Sequence, residues 1–269
     1  MHLKRWITGL VALPFLILLI VAGGEAFFLL VAVASILALR EYHKIALSAP
    51  HLSAEGVPLL LSYFFAPFIL LAAAAGSAEW VLGALAVSLI GLAFFAVVRF
   101  DPDRFRTDTL LLQATGILYI LLPFALLLRI RAEPEGTVWI FLILAVVFAG
   151  DTCAYHIGSV YGRHKLCPKV SPGKTVEGAL GGLAGNLLAG ALIKGFFLPD
   201  LPWAGSLLFF VVAGAAGQLG DLFESQFKRL GNIKDSGHIL PGHGGILDRI
   251  DALLFAAPVA YLFKQLLII

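Results

Sequence analysis

Nine stretches of this chain are almost wholly apolar: 6–22, 26–40, 57–75, 79–98, 109–128, 137–157, 177–198, 203–225 and 250–269. Most charged residues lie in the gaps between them. A helix of about 20 apolar residues crosses the ~30 Å hydrocarbon layer of a bilayer. The pattern therefore predicts an all-α, polytopic integral membrane protein of about nine transmembrane helices. The second stretch is the shortest and is expected to continue past Arg40. His2, Lys4 and Arg5 ahead of the first stretch look like the start of a signal peptide, but no small-x-small cleavage site follows. More apolar spans do follow, so 6–22 is expected to be the first transmembrane helix. The spans group as 1–75 with helices one to three, 76–136 with helices four and five, and 137–269 with helices six to nine and the longest polar connections.

Composition removes the soluble classes. The chain is 60% hydrophobic and 13% charged, where a soluble domain is about half apolar and a quarter charged. The net charge of +2 says little about partners, and no nucleic acid is expected among them. Its distribution says more. With the N-terminus on the cytoplasmic side, 15 of the 19 Lys and Arg fall on inner segments, and four (Arg129, Arg131, Lys194 and Lys264) fall outside. Lys and Arg accumulate on the cytoplasmic side of membrane proteins, so the count and the orientation support each other. Trp6, Trp80, Trp139 and Trp203 all stand at span ends, where indoles prefer the headgroup level. Cys153 and Cys167 are too few for a disulfide framework or a Cys-rich zinc site; Cys153 is expected to be a small packing residue.

The unusual polar residues lie in the last part of the chain, on the inner side. Asp221 falls near the inner end of the eighth span, with Gln218 and Ser225 three and four residues away on one helix face and Glu224 close to it. A carboxylate at membrane depth costs roughly 2.5–3.5 kcal/mol, so it calls for a use: a metal or substrate role, or pairing with Lys228. Asp248 opens the ninth span, where an Asp is an ordinary helix cap. Here it follows the turn Pro241-Gly-His-Gly-Gly245, whose freed amides suit a phosphate. Asp221 and Asp248 fall at the same membrane boundary, where one cation can take both. Mg²⁺ favours that chemistry: few carboxylates, with waters and substrate phosphates completing its shell.

Two further segments carry candidate groups. Asp151 and Tyr155 are four apart in the sixth span. Ser171-Pro-Gly-Lys-Thr-Val-Glu-Gly178 is expected to open the seventh, with Ser171 as cap and Pro172 in the first helical position. It is no P-loop, because Pro168 stands where that motif needs Gly. Lys174 near a helix start is disfavoured by the dipole unless an anion relieves it. Gly178, Gly181, Gly182 and Gly185 have the spacing of close helix–helix contacts, and Asn186 is expected to hydrogen-bond between helices. His43, His51 and His164 are expected to be solvated loop residues. His238 and His243 lie in the polar loop; His243 either contacts phosphate or supports the turn.

Ser225-x2-Lys228-Arg229-x4-Lys234-Asp235-x-Gly237-x2-Leu240-Pro241-x-His243-Gly244-Gly245-x2-Asp248-Arg249-x-Asp251 resembles the signature of the phosphatidate cytidylyltransferases, or CDP-diacylglycerol synthases. The Asp151–Tyr155 and Ser171–Gly178 segments resemble that family in the same order. The resemblance implies a membrane enzyme that joins CTP and phosphatidic acid, releasing pyrophosphate and CDP-diacylglycerol. It further implies Mg²⁺, with room for a second cation, and a homodimer for which 76–136 offers contacts. It makes Asp221 and Asp248 metal ligands. Ser225, Lys228, Arg229, Lys234, Asp235, His243, Gly244, Gly245 and Arg249 would line the phosphate site, and Asp151, Ser171 and Lys174 would complete it. The location implied is the cell's inner membrane with the site facing the cytoplasm. The nearest enzymatic rival is a CTP-dependent polyprenol kinase. A cation-coupled transporter would instead place broken helices in corresponding halves, whereas here the polarity collects in one half.

Overall fold

The computed structural model describes residues 2–48, 60–100, 107–237, 239 and 244–267. The described chain is helical apart from one small hairpin. Its order is α1 (His2–Ala22), α2 (Gly24–Leu47), α3 (Leu60–Ala74), α4 (Ala78–Val98), α5 (Thr107–Gly116), a π-turn (Ile117–Leu121), α6 (Leu122–Ala132), α7 (Gly136–Tyr161), β1 (Lys165–Cys167), β2 (Ser171–Thr175), α8 (Val176–Phe197), α9 (Trp203–Leu230) and α10 (Leu247–Leu267). Six helices among the described residues are long and apolar enough to cross a membrane: Ala78–Val98, Thr109–Ala132, Gly136–Tyr161, Val176–Phe197, Trp203–Leu230 and Leu247–Leu267. The first and third expected spans hold the shorter apolar helices Ala12–Ala22 and Leu60–Ala74. The second expected span is part of α2, which runs on past Arg40 to Leu47.

The chain divides into two compact units. One comprises Met1–Ala132 with Phe227–Arg249, the other Glu133–Gln226 with Ile250–Ile269. In the first, α1 turns into α2 at Gly23 and Gly24, both with positive φ (66° and 48°). Gly23 leaves room for the guanidinium of Arg131, which donates from Nε to Ile20 O at 2.9 Å and from a terminal nitrogen to Val21 O at 3.1 Å. Arg131 thus satisfies carbonyls that the end of α1 leaves without intrahelical partners. The π-turn lies beside α2: a methyl on Gly116 would press on Tyr42 and Leu39. Tyr42 in turn packs edge-on against Tyr119 and Phe227, with ring centroids 6.0 and 5.3 Å apart.

In the second unit, α7 and α8 pack closely through the expected glycines. A side chain at Gly181 would strike Ile157, one at Gly185 would strike Cys153, and one at Gly182 would reach the backbone of Gly150. Cys153 therefore packs as a small residue, as expected. Asn186 is buried between Gly150 on α7 and Gly214 on α9, where its Oδ1 has no hydrogen-bond partner among the described residues.

Two cations and one indole depart from the membrane-interface pattern. Lys264 has 0% relative exposure; its ammonium donates to Pro134 O at 2.7 Å, lies 3.7 Å from Glu133 and sits over the ring of Trp139. Lys194 is also buried, donates to Pro199 O at 2.9 Å and sits 4.2 Å from the ring centre of Trp203. Trp139 is fully buried and packs against Phe209. It anchors a core rather than a headgroup layer, while Trp80 and Trp203 are exposed.

Candidate active site

The expected site residues fall in both units. In the second unit the central feature is an ion pair between Lys174 and Asp221, Nζ to Oδ2 2.6 Å. The local fold places Lys174 differently from expectation. Ser171 does not cap a helix: Ser171–Thr175 forms β2, paired antiparallel with β1 in the register Lys165 to Thr175 and Cys167 to Ser171. The cap is Thr175, whose hydroxyl accepts from Gly178 N at 3.1 Å. Lys174 is the residue before that cap, on the strand, and reaches Asp221 on α9. Ser225, one turn further along α9, donates to Asp221 Oδ1 at 3.4 Å. Asp151 on α7 lies within electrostatic range of both Asp221 and Lys174. These three charges come from three elements and meet in one region of the unit. Gln218 does not join them: it donates to Ala179 O at 2.9 Å and ties α9 to α8.

The hairpin is held to α8 by Glu177. Its carboxylate accepts from Arg163 N at 3.0 Å and from the backbone and ring of His164, the ring contact measuring 2.5 Å. His164 is exposed as expected. His43 is not: it is buried on α2, 3.3 Å from Tyr63 Oη and 3.4 Å from Ser62 Oγ. His51, His238 and His243 lie outside the described residues.

In the first unit the centre is Asp248, near the start of α10. Lys228 pairs with its Oδ1 at 2.7 Å. The other oxygen, Oδ2, accepts from Ser236 N at 3.0 Å, Ser236 Oγ at 2.9 Å and Gly245 N at 2.8 Å. Lys228 and Arg229 sit on the last turn of α9, which continues to Leu230 rather than ending at 225. Cations are favoured at such a C-terminal end. Gly244 takes a φ of 83°, and a side chain there would collide with Asp248. Arg229, Lys234, Asp235 and Arg249 are exposed around this frame.

Sequence reasoning missed Ser236 and Glu41. Ser236 lies inside the signature segment, but serine in a loop gives no signal of its own. Glu41 lies on α2, far away in sequence, and accepts from Ser236 Oγ and Leu247 N. The spacing of charges along α2 gave no sign that this one turns inward.

Hard carboxylate oxygens beside lysine ammoniums are the donor set a Mg²⁺–phosphate complex uses. Asp248 fits the part of a one-oxygen ligand, because Oδ2 is taken by three donors and Oδ1 faces Lys228. Among the described residues, no three His, Cys, Asp or Glu converge as a protein-only metal cage.

The profile of the cytidylyltransferase family matches residues 3–267. A protein of Staphylococcus haemolyticus named phosphatidate cytidylyltransferase is 34% identical over 257 residues, covering 95% of this chain and 96% of that one. One of Bacillus subtilis with the same name is 32% identical over 268 residues, 98% and 97% of the two chains. A third, from Staphylococcus aureus, is 33% identical over 257 residues, 95% of this chain and 96% of its own. The chain belongs to the cytidylyltransferase family.

Proposed function

We propose that this protein is a phosphatidate cytidylyltransferase that transfers CMP from CTP to phosphatidic acid, giving CDP-diacylglycerol and pyrophosphate. The observation that carries the proposal is Asp248, paired with Lys228 and framed by Ser236 and Gly245, in a chain matched almost end to end by its family. A phosphate oxygen of phosphatidate attacks the α-phosphorus of CTP. The bond from that phosphorus to the bridging oxygen breaks, and pyrophosphate leaves. Phosphatidate already presents an oxyanion near neutral pH, so no dedicated base is required. Two polyanions must be brought together, so catalysis rests on positioning and charge neutralisation. Lys174, Lys228, Arg229, Lys234 and Arg249 supply positive charge, and the amide of Gly244 supplies a neutral donor, while that of Gly245 is committed to Asp248 Oδ2. Ser171, Ser225, Asp151, Asp235 and His243 complete the substrate contacts on the strength of the family resemblance. On the strength of the family resemblance, Asp221 and Asp248 would each be a Mg²⁺ ligand, with a second cation allowed; the ion, when bound, neutralises phosphate charge. The lysine now beside each aspartate is then available to a substrate phosphate.

The finer architecture belongs to the same proposal. Nine spans place the N-terminus and the signature segment in the cytoplasm, where CTP is found, and leave the acyl chains in the inner-membrane leaflet. The protein acts as a homodimer. Orientation is tested with single cysteines at Lys169 and Ala132 after Cys153 and Cys167 are replaced by Ala. An impermeant maleimide applied to intact cells is expected to label position 132 and spare 169; the opposite result reverses the topology. The activity is tested by incubating purified protein with phosphatidate, Mg²⁺ and CTP labelled at either the α- or the γ-phosphate, followed by lipid extraction. Label from the α-position in the lipid phase is expected. Label from the γ-position there instead marks a CTP-dependent lipid kinase.

A further inference from the structure

Glu41 is buried, with 3% relative exposure, within the last two turns of α2, where the sequence gives it no obvious use. Its Oε2 accepts from Ser236 Oγ at 3.1 Å, across 195 residues of chain, and from Leu247 N at 2.8 Å. Its Oε1 lies against Gly237 and has no hydrogen-bond partner among the described residues. A side chain at Gly237 or at Gly245 would collide with this carboxylate. Two glycines of the signature therefore make room for a residue that the signature does not contain. Ser236 is fully buried, and its single hydroxyl proton is shared between Glu41 Oε2 and Asp248 Oδ2, the latter 2.9 Å away. The chain of contacts runs from Glu41 through the Ser236 hydroxyl and the Leu247 amide to the two ends of the segment that frames Asp248.

We propose that Glu41 is a positioning residue for the cytidylyl transfer: it clamps Ser236 and Leu247 so that Asp248 presents Oδ1 towards Lys228. The inference rests on the reading of Asp248 as a cation-holding carboxylate. Burying a carboxylate is costly unless its hydrogen bonds compensate. Here the bonds go to Ser236, which itself reaches Asp248, and to Leu247, its chain neighbour. A glutamate on α2 needed only for packing would not require glycines on both sides of its carboxylate. Glutamine can keep the geometry. With its carbonyl at the Oε2 position it still accepts from both Leu247 N and Ser236 Oγ, and its amide takes the Oε1 position beside Gly237. Alanine removes both contacts.

The test uses the full-length purified protein with Glu41→Ala, Glu41→Gln, Glu41→Asp and Asp248→Asn. Three quantities are measured below each variant's Tm: Mn²⁺ binding by electron paramagnetic resonance, amide exchange across 244–248, and kinetics against Mg²⁺, CTP and phosphatidate. Glu41→Ala is expected to weaken Mn²⁺ binding and raise the half-saturating Mg²⁺ concentration by about tenfold, the scale of one lost charge-assisted contact. Amide exchange at Gly245 and Leu247 should speed up, and the KM for phosphatidate should hold. Glu41→Gln should restore most of each property. If Glu41→Ala cannot be recovered folded, Glu41→Asp carries the same comparison, since it is one methylene too short. Unchanged Mn²⁺ binding in the alanine or aspartate variant, with binding lost in Asp248→Asn, overturns the clamp. Equal defects in the glutamine and alanine variants overturn it too, because charge rather than geometry would then be at work. Normal Mn²⁺ binding in Asp248→Asn instead overturns the cation reading itself, and the clamp as a catalytic device falls with it; the exchange data then show whether Glu41 still orders the turn.

Discussion

Asp248 and Asp221 each face a lysine, at 2.7 and 2.6 Å, but their surroundings differ. The Asp248 side chain is 9% exposed, with Oδ2 fixed by three donors and Glu41 behind them. The Asp221 side chain is 33% exposed, and its neighbouring hydroxyl, Ser225, is a long 3.4 Å away. The first is a carboxylate built into a frame. The second is held by one ion pair that a ligand can rearrange at little cost, since half-exposed pairs are worth little in themselves. Two groups with the same expected role are thus prepared to different degrees: one is rigid before substrate arrives, and the other can adjust around it.

The comparison breaks most visibly in the two asparagine variants. Both Asp248→Asn and Asp221→Asn are expected to lose activity by about 100-fold or more, ~2.7 kcal/mol of barrier. Only Asp248→Asn should also lower Tm clearly, because Lys228 is left without its carboxylate in a mostly buried place. Activity assays and thermal unfolding of both variants check this, and equal Tm losses would erase the distinction drawn between them.

A smaller effect is expected at the exposed pair. Lys174→Ala should lower catalytic efficiency about tenfold to hundredfold, the value of a charge-assisted contact of roughly 1.5–3 kcal/mol, with little change in stability. Arginine should rescue it only in part, because its planar fork presents charge differently from a compact ammonium. Since Lys174 touches Asp221, the double variant Lys174→Ala/Asp221→Asn should lose less than the product of the single losses. Independent losses in that cycle would mean that the pair does not act as a unit.

The smallest effect on activity is expected away from both aspartates. Lys264→Met should leave kinetics near wild type while lowering stability by about 1–3 kcal/mol, because the Pro134 carbonyl and Glu133 lose a buried donor. Thermal unfolding and steady-state assays on the same preparation separate the two. A kinetic defect as large as that of Lys174→Ala would show that Lys264 is more than a fold anchor.

Much of the site was legible along the chain because carboxylates, lysines and glycines stand out against an apolar background, where each polar residue needs a reason. Asp221, Asp248, Lys174 and Lys228 could be picked out that way. Their partners could not. Lys228 pairs with Asp248 and Lys174 with Asp221, whereas helix spacing alone offered Lys228 to Asp221. The start of α8 was misplaced by four residues, because Ser-Pro is a good helix start in isolation. Pairing with β1 instead holds Ser171–Thr175 extended and passes the cap to Thr175. Trp139, Lys194 and Lys264 look like interface residues by position, yet cation–π contacts and backbone carbonyls draw all three inside.

By itself the sequence determined the helical membrane class, the small-residue packing of α7 on α8, and the chemistry available in the signature segment. All of these follow from local composition and period: apolar length sets a span, glycine spacing sets a close approach, and residue type sets charge. Only the tertiary structure decided which charges meet, that Phe227–Arg249 folds with the first unit, and that Glu41 lies behind Asp248. Those contacts join residues up to 206 positions apart. No local pattern encodes them, because an inward-facing glutamate and a solvated one look the same until the glycines that receive it are folded around it.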